Sequence, residues 1–363
     1  MRLLRLAGEG FRNLAPFSLG LDVPFVVFHG PNGQGKTNTL EAVYTLATLR
    51  PLRGHVLRDV VAWDAEQAGL SADVRSDSGL RQHRLELGAR RRVWVDGSEV
   101  RDLAEHFDTL RVVAFQPIDG RIITDEPALR RAWLDRAAFT ARPSHLGRVR
   151  SYLRVLSQKA AALREGTADT ALLDVLDTQL AEHGGALVAA RVALLEALRP
   201  HVAEEHATLA GPGACIELSY RGTPPSVEVQ PVVQALTERL RASRGAELRR
   251  RQCLVGPHRD DVSIELDGQS ARTFGSRGQV RSIVLALKLA ELAAARSRGE
   301  QPIFLLDDLS SELDRARTAR LVQRLAELSA QVFITTTDPE HVSGLPKDAL
   351  MRVAVDGGAL KPA

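Results

Sequence analysis

A phosphate-binding loop pattern near the N-terminus constrains this chain more than any other feature. Residues 25–28 are all apolar and have the length of a buried strand, and apolar residues at helical spacing follow from Lys36 onward. Between them, residues 30–37 read GPNGQGKT, in which the glycines allow backbone angles that aim successive N–H groups at phosphate oxygens. The order strand, loop, helix therefore predicts a site for the phosphates of a nucleotide.

ATP and Mg²⁺ are the ligands that this loop predicts. Lys36 is expected to reach the β- and γ-phosphates, and the Thr37 hydroxyl is expected to bind Mg²⁺. The alternative is a glycine-rich turn that matches the pattern by chance, which we expect in roughly one chain in a hundred at average residue usage. The predicted nucleotide-binding residues of the loop are Gly30, Pro31, Asn32, Gly33, Gln34, Gly35, Lys36, Thr37 and Asn38.

A second apolar strand, residues 303–306, ends in two acidic residues. This Walker B arrangement delivers Asp307 to the carboxyl end of the sheet, beside the phosphate loop. There Asp307 is expected to take part in nucleotide binding and to hold Mg²⁺ through water. Asp308 follows where ABC-type ATPases carry the carboxylate that activates the attacking water, and residues 309–314 continue with the spacing of a D-loop. A strand capped by Asp is a weak signal alone, but together these motifs predict an ABC-type ATPase head.

Residues 274–279, reading FGSRGQ, open a helix about thirty residues before the Walker B strand, at the position of an ABC signature motif. Ser276, Gly278 and Gln279 at a helix N-terminus predict a second, weaker anion site. In one molecule this site would face away from its own phosphate loop. It therefore predicts an ATP-dependent, head-to-tail homodimer in which Ser276 and the Gly278 N–H contact the γ-phosphate held by the partner's Lys36. The alternative is an ordinary N-cap by Ser276.

Two further residues complete the predicted catalytic site. Gln116 follows the apolar strand 112–115 and fits a Q-loop by position, with a catalytic and Mg²⁺-binding role, although an ordinary surface glutamine explains it as well. Thr335 opens a run of three threonines where transporters carry a switch histidine, so we expect its hydroxyl to sense the γ-phosphate. The predicted catalytic residues are Lys36, Gln116 and Asp308, and the predicted Mg²⁺ residues are Thr37, Gln116 and Asp307.

The order of strand and helix patterns predicts an α/β protein with an inserted helical arm. Residues 1–126 and 246–363 are expected to form the two halves of a P-loop ATPase head, and residues 127–245 a mainly helical arm or second lobe. Apolar residues between 173 and 194 follow a three-four spacing that His183, Gly184 and Gly185 interrupt. This pattern favours a short antiparallel arm, but a plain helical bundle fits it as well.

Composition adds limits on location and partners. No signal peptide or membrane-spanning run is present, so we expect a cytoplasmic protein without membrane partners. The net charge is only +3, but the cations are mostly arginines and occur in clusters, which favours binding to the DNA backbone with weak sequence preference and strong salt dependence. A codon-usage bias would also give this excess of arginine. The clusters are residues 90–92, 130–131, the series Arg142, Arg148, Arg150 and Arg154, and residues 249–251.

Motifs over nearly the whole chain resemble the RecF proteins of bacterial recombinational repair, within the SMC-like branch of ABC ATPases. GPHRDD followed by DDLSSELD is specific to that family rather than to ABC proteins in general. The matching motifs are FRNL at 11–14, GPNGQGKTNTLEAV at 30–43, RGHVLRD at 53–59, EPALRRAWLD at 126–135, GPHRDDV at 256–262, GSRGQVR at 275–281 and LLDDLSSELD at 305–314.

The resemblance implies an ABC/SMC-type head of two lobes in which ATP closes a dimer, the dimer holds DNA, and slow, DNA-dependent hydrolysis releases it. The DNA would be single-stranded, duplex, or a gap or junction between the two, and the protein partners would be RecR with RecO and, through them, RecA. Asp308 departs from the usual Glu by one methylene, which suits slow hydrolysis. His258 and Arg259 of the GPHRDD motif are expected either to pack between lobes, neutralised by Asp260 and Asp261, or to lie near nucleotide or DNA.

Two other classes of protein share some of these motifs. The nucleotide-binding subunit of an ABC transporter has the same loop, signature, Walker B and D-loop, but it usually has an LSGGQ signature and a switch histidine and lacks an arginine-rich helical insertion. A structural SMC-like scaffold would need longer arms. Each half of a hairpin of about eighty residues spans only about 60 Å.

Overall fold

The computed structural model describes residues 1–362 apart from residues 55, 78, 101, 166–168, 212 and 310–314. The chain forms two compact units. Unit 1 contains residues 1–119, 205–212 and 281–363, and unit 2 contains residues 120–204 and 213–280. The division of the chain after residues 126 and 245 into two halves of an ATPase head and an inserted arm stays a prediction. The predicted D-loop from Ser310 onward lies outside the described residues.

The strands and helices have the following bounds. The strands are β1 Arg2–Glu9, β2 Phe17–Gly20, β3 Phe25–His29, β4 Ala68–Ser76, β5 Gly79–Leu87, β6 Arg91–Val95, β7 Ser98–Glu99, β8 Val112–Phe115, β9 Ile216–Arg221, β10 Asp261–Leu266, β11 Gln269–Ser270, β12 Ile303–Leu306, β13 Val332–Thr336, β14 Leu350–Asp356 and β15 Ala359–Pro362. The helices are α1 Lys36–Thr48, α2 Ala104–Thr109, α3 Arg121–Thr124, α4 Pro127–Ala141, α5 His145–Glu165, α6 Thr170–Ala210, α7 Val229–Arg250, α8 Ala271–Phe274, α9 Arg277–Ser297 and α10 Arg315–Leu328.

The central sheet of unit 1 has the order β15-β14-β3-β13-β12-β8. All its pairs are parallel except β14 with β15. Its inner strands read as continuous apolar runs because both faces of a parallel sheet are buried. β13 lies between β3, which leads into the phosphate loop, and β12, which ends before Asp307. The carboxyl ends of all three strands therefore lie side by side at one edge.

The second sheet of unit 1 is antiparallel, in the order β2-β1-β4-β5-β6-β7. Buried and exposed residues alternate along β4, as expected for a sheet with one face covered. Asp96 and Gly97 form the hairpin turn between β6 and β7. Both residues have positive φ, +50° and +78°, which is the geometry of a type I′ turn.

A buried pair of histidines ties this second sheet to α1. The Nδ1 atoms of His83 on β5 and His106 on α2 lie 3.0 Å apart, and His106 Nε2 donates to the carbonyl oxygen of Leu46, 2.7 Å away. Burial lowers the pKa of His83 to about 3 and that of His106 to about 4. Both rings are therefore neutral in the folded protein at neutral pH.

The histidine pair predicts that acid destabilises the protein well above the pKa range of carboxylates. In the unfolded chain each histidine takes up a proton near pH 6.5, whereas in the folded chain it does so only near pH 3 to 4. The contribution of the two histidines to stability is therefore constant above about pH 6.5 and falls below it, by on the order of 5 kcal/mol by pH 4.5. Urea denaturation at a series of pH values measures this loss. The double variant His83→Gln/His106→Gln should be less stable at pH 7 but less sensitive to acid, and an unchanged pH slope in that variant would contradict the assignment.

Unit 2 includes α4, α5, α7, most of α6 and a small sheet in the order β11-β10-β9. Lys159 on α5 pairs with Asp177 on α6 at 2.5 Å and with Glu247 on α7 at 2.6 Å, and all three side chains are largely buried. Removing one partner from such a buried ionic cluster leaves an uncompensated charge. The cluster therefore fixes the pairing of the three helices.

The predicted interruption at His183 to Gly185 is wrong, because α6 runs without a break from Thr170 to Ala210. A Cβ atom on Gly185 would lie 2.4 Å from Val233 of α7, and one on Gly184 would lie 3.0 Å from Leu236. The two glycines therefore allow close approach of two helices rather than a turn.

The GPHRDD segment and Arg130 pack together within unit 2. Arg130 is 4% exposed and binds Asp261 with two hydrogen bonds of 2.6 and 2.9 Å, so it is neither a phosphate ligand nor a solvated side chain. Asp260 accepts hydrogen bonds from Tyr220 and Thr223. Burial lowers the pKa of His258, and the charge of Asp260 raises it. The expectation that Asp260 and Asp261 neutralise His258 and Arg259 stays a prediction. His258 Nδ1 lies 2.6 Å from the Tyr152 hydroxyl.

Candidate nucleotide-binding site

The phosphate loop has the backbone that its glycines permit. Gly30 has φ +148°, and a Cβ atom there would lie 2.4 Å from the carbonyl oxygen of Val355. Gly35 has φ +110° and precedes the first residue of α1, and its Cβ atom would meet Asn13 Oδ1 at 2.9 Å. No other residue type fits either position without strain. Gln34 supports the loop from the other side, since its side chain accepts a hydrogen bond from the Gly357 N–H at 2.6 Å.

Lys36 points into the loop. Its Nζ atom donates to the carbonyl oxygens of Gly30 and Pro31, each at 2.8 Å, and lies 3.4 Å from Asn32 Oδ1. Burial lowers the pKa of Lys36, while the carboxylates of Asp308 and Asp307 raise it. The ammonium group is thus held inside a ring of loop atoms. This is the position from which it can contact a β- or γ-phosphate oxygen.

One hydroxyl group joins the two acidic residues that follow β12. Thr335 Oγ1 donates to Asp307 Oδ1 at 2.7 Å and accepts from the Asp308 N–H at 2.8 Å. Thr37 Oγ1 also donates to Asp307, at 2.9 Å from Oδ1. Asp308 has φ +53°, a left-handed conformation that Asp tolerates better than most residues. The structure therefore brings Thr37, Thr335 and both acids to one edge of the central sheet.

The predicted Mg²⁺ residues fit a divalent cation at this edge. Burial raises the pKa of Asp307, and the hydroxyls of Thr335 and Thr37 lower it. A cation bound by the Asp307 carboxylate and the Thr37 hydroxyl would favour the charged carboxylate. Over the described part of the chain, no group of three or more acidic, histidine or cysteine side chains could hold a metal by itself. Mg²⁺ here would need nucleotide phosphates as further ligands, which is its usual mode in such sites.

Gln116 lies beside the Walker B strand. Its strand, β8, pairs in parallel with β12, and the Asp307 N–H donates to the carbonyl oxygen of Phe115 at 3.0 Å. Gln116 is 7% exposed, so an ordinary surface glutamine does not describe it. Its neighbour Asp119 accepts a hydrogen bond from the Gln116 N–H. A direct role for its side chain in catalysis or Mg²⁺ binding stays a prediction.

The structure adds a cationic cluster that the sequence patterns did not indicate. Glu41 on α1 is fully buried, and Arg12 binds both of its carboxylate oxygens, at 2.9 and 3.0 Å. Arg53 also pairs with Glu41, at 3.2 Å, and donates to Asn38 of the phosphate loop. The positive charge of Arg53 lowers the pKa of Asp307. Two arginines and one carboxylate leave a net positive charge next to the loop, which favours anion binding.

The signature residues belong to unit 2, where Ser276 and Gln279 are exposed and Gly278 is half-buried. The Ser276 N–H donates to Gln279 Oε1 at 2.8 Å, and the Gln279 N–H donates to Ser276 Oγ at 3.3 Å. This reciprocal pair is a capping box at the start of α9, so the N-cap interpretation is correct for this molecule by itself. Because Ser276 is exposed, its hydroxyl remains accessible to a phosphate group bound by another molecule. The predicted nucleotide contacts of Ser276, Gly278 and Gln279 stay predictions.

The sequence matches a known family model over almost its full length. The model describes the RecF/RecN/SMC N terminal domain and matches residues 2–360. A protein named DNA replication and repair protein RecF from Myxococcus xanthus is 39% identical, with 99% of this chain and 96% of that protein covered. A protein of the same name from Geobacter sulfurreducens is also 39% identical, with 98% of both chains covered.

Solved structures give the same grouping. A structure of the recombination mediator protein RecF-ATP in the RecFOR pathway superposes with a TM-score of 0.89 at 28% identity, covering 100% of this chain and 99% of that one. An SMC head bound to the C-winged helix domain of ScpA gives a TM-score of 0.61 at 16% identity, which shows a shared fold only. No helix among the described residues is long and apolar enough to cross a bilayer.

Proposed function

Because this chain belongs to the RecF family of SMC-like ATPases, we propose that it is an ATP-switched, DNA-binding protein of replication and recombinational repair. The observation that carries the proposal is the contact of Thr37 with Asp307 at 2.9 Å, which joins the phosphate loop to the Walker B acid. Family membership favours this function over that of a transporter subunit, since the named relatives are replication and repair proteins.

In the proposed mechanism, ATP joins two copies of the chain head to tail. The phosphate loop and Lys36 bind the triphosphate. Thr37 and Asp307 would hold a Mg²⁺ ion, which would supply neutralisation of the phosphate charge. Ser276 and Gly278 of the partner subunit then contact the γ-phosphate. Asp308, whose N–H is fixed by Thr335, directs the attacking water, and its short side chain makes hydrolysis slow.

The closed dimer is proposed to hold DNA at gaps or at junctions of single and double strands. Hydrolysis then reopens the dimer and releases the DNA, so the rate of the DNA-dependent ATPase sets how long the DNA stays bound. RecR with RecO, and through them RecA, are the proposed protein partners. They come from the family alone, since RecF is described as a recombination mediator of the RecFOR pathway.

Light scattering with and without ATP tests this function most directly. We expect the measured mass to double with ATP and Mg²⁺ and to stay that of a monomer with ADP. We also expect the ATP-bound dimer to bind a gapped duplex more tightly than the monomer does. The ATPase rate should rise when the gapped duplex is added. Salt should weaken DNA binding steeply, because the contacts are mainly to phosphates.

Three controls make the result specific. A blunt duplex of equal length tests the preference for gaps, a nonhydrolysable ATP analogue should keep the dimer closed, and EDTA should prevent its formation. A chain that stays monomeric with ATP and gapped duplex together would refute the proposed function.

A further inference from the structure

One stretch of unit 2 concentrates positive charge far beyond the average of the chain. The 29 residues from Arg136 to Arg164 contain seven Lys and Arg side chains and no Asp or Glu. The whole chain has a net charge of only +3. A general preference for arginine does not explain the absence of acids here. The stretch covers the end of α4 and nearly all of α5.

Helix α5 has one buried face and one exposed face. Its buried side chains recur at intervals of three or four residues and include Tyr152, Val155, Lys159 and Leu163. Arg150, Arg154 and Arg164 are exposed and lie on the opposite side of the helix. These three residues are called the arginine face below.

The arginine face lacks counter-charges. On the buried side of the same helix, Lys159 pairs with Asp177 and Glu247. Over the residues that the structure describes, no ion pair involves Arg150, Arg154 or Arg164. Some exposed arginines elsewhere in the chain do pair with carboxylates, for example Arg121 with Asp125 and Arg221 with Glu265. The arginine face is therefore positioned to receive an external anion.

The spacing of the three arginines suits a polyanion with regularly repeated charges. Arg150 and Arg154 are four residues apart on a helix, so their Cβ atoms lie about 6 Å from each other. Arg150 and Arg164 are separated by about 21 Å along the helix axis, which equals the axial length of about six base pairs. A protein partner would instead need an apolar anchor at its centre, and Leu153 is the one large apolar side chain exposed on α5.

We infer that the arginine face binds the sugar-phosphate backbone of DNA. This inference rests on the proposed function, since it assigns a place for the same substrate. It goes further in one respect: the surface lies on a single helix of unit 2, so it is complete in one molecule and requires no bound nucleotide. DNA thus contacts the helical unit before ATP closes the dimer.

The test compares two triple variants that change the net charge equally. Arg150→Gln/Arg154→Gln/Arg164→Gln removes the arginine face, and Arg121→Gln/Arg221→Gln/Arg298→Gln removes three exposed arginines that pair with carboxylates. Fluorescence anisotropy with a gapped duplex, without nucleotide and with ATP and Mg²⁺, is measured over a range of salt. Removing the arginine face should weaken binding at least about 10-fold and reduce the salt slope by about 2 to 3 under both conditions. The control should bind like the unmodified chain.

Each other outcome has a defined meaning. If the two triple variants bind equally, the inference is wrong while the proposed function stands. If the unmodified chain does not bind the gapped duplex, the proposed function itself fails. If the arginine-face variant keeps DNA binding but loses binding to polyglutamate, the surface recognises an acidic protein instead, and the inference is overturned. The variant Arg150→Lys/Arg154→Lys/Arg164→Lys should retain most of the affinity for DNA. ATP-dependent thermal stabilisation of every variant checks that the fold is retained.

Discussion

Lys36→Met abolishes ATP-dependent dimerisation and leaves the fold intact: this is the largest effect that we expect from a single substitution. The Lys36 ammonium group lies inside the phosphate loop, within 2.8 Å of two loop carbonyl oxygens. Methionine has a similar length but no charge, so it cannot form charge-assisted hydrogen bonds to the phosphates. We expect the affinity for ATP to fall at least about 100-fold, which corresponds to about 2.7 kcal/mol.

Stability should not fall in this variant, because burial already lowers the pKa of Lys36 and therefore disfavours its charged form. Thermal denaturation without nucleotide checks the fold, and thermal denaturation with ATP measures binding, since a bound ligand raises the melting temperature. Lys347→Met is the matched control, because Lys347 is exposed in a short 3₁₀ turn away from the loop sequence. A Lys36→Met protein that still forms dimers with ATP would contradict the assignment of the loop. Lys36→Arg should also fail to dimerise, since its larger planar head does not fit the same ring of carbonyls.

Ser276→Arg is expected to separate nucleotide binding from dimerisation. Ser276 is exposed and belongs to unit 2, whereas the phosphate loop belongs to unit 1, so each molecule should bind ATP with unchanged affinity. An arginine in the turn would place a long side chain where the partner's nucleotide must lie. The ATP-induced increase in mass should therefore disappear. The loss of the capping box costs about 1 kcal/mol of stability, which is too little to unfold the protein.

Two controls isolate the steric effect of this substitution. Ser276→Ala loses the cap without adding bulk and should still form some dimer at high ATP concentration. Ser98→Arg adds the same charge and bulk at an exposed position on β7 and should dimerise normally. Dimerisation of Ser276→Arg as readily as that of the unmodified chain would refute the shared site.

Much of the nucleotide site could be predicted from the sequence because its parts are local. The phosphate loop, the apolar strand before Asp307 and the turn before α9 are each short runs of residues whose order alone defines their geometry. The parallel sheet then brings the ends of these strands together, as the contact of Thr37 with Asp307 shows. Thr335 contacts both acids, but sensing of the γ-phosphate by its hydroxyl stays a prediction.

What the sequence could not show depends on contacts between distant residues. No local pattern indicates that Glu41 binds Arg12 and Arg53, since the three lie on separate segments. The pairing of Arg130 with Asp261 spans 131 residues, and the chain offers many carboxylates as alternatives. The continuity of α6 through Gly184 and Gly185 is a further case, because only the position of α7 explains why glycines are needed there.

The hydroxyl of Thr335 has a single hydrogen to donate, and it donates that hydrogen bond to Asp307. A lone pair of the same oxygen accepts the hydrogen bond from the Asp308 N–H, so the acid proposed to bind the metal and the acid proposed to direct water are linked through one atom. If a cation draws the Asp307 carboxylate toward itself, the Thr335 hydroxyl either moves with it or loses its acceptor. Either change alters the hydrogen bond that holds the main chain at Asp308. Under the proposed mechanism, metal binding at Asp307 would therefore be coupled to the backbone position of Asp308 through Thr335.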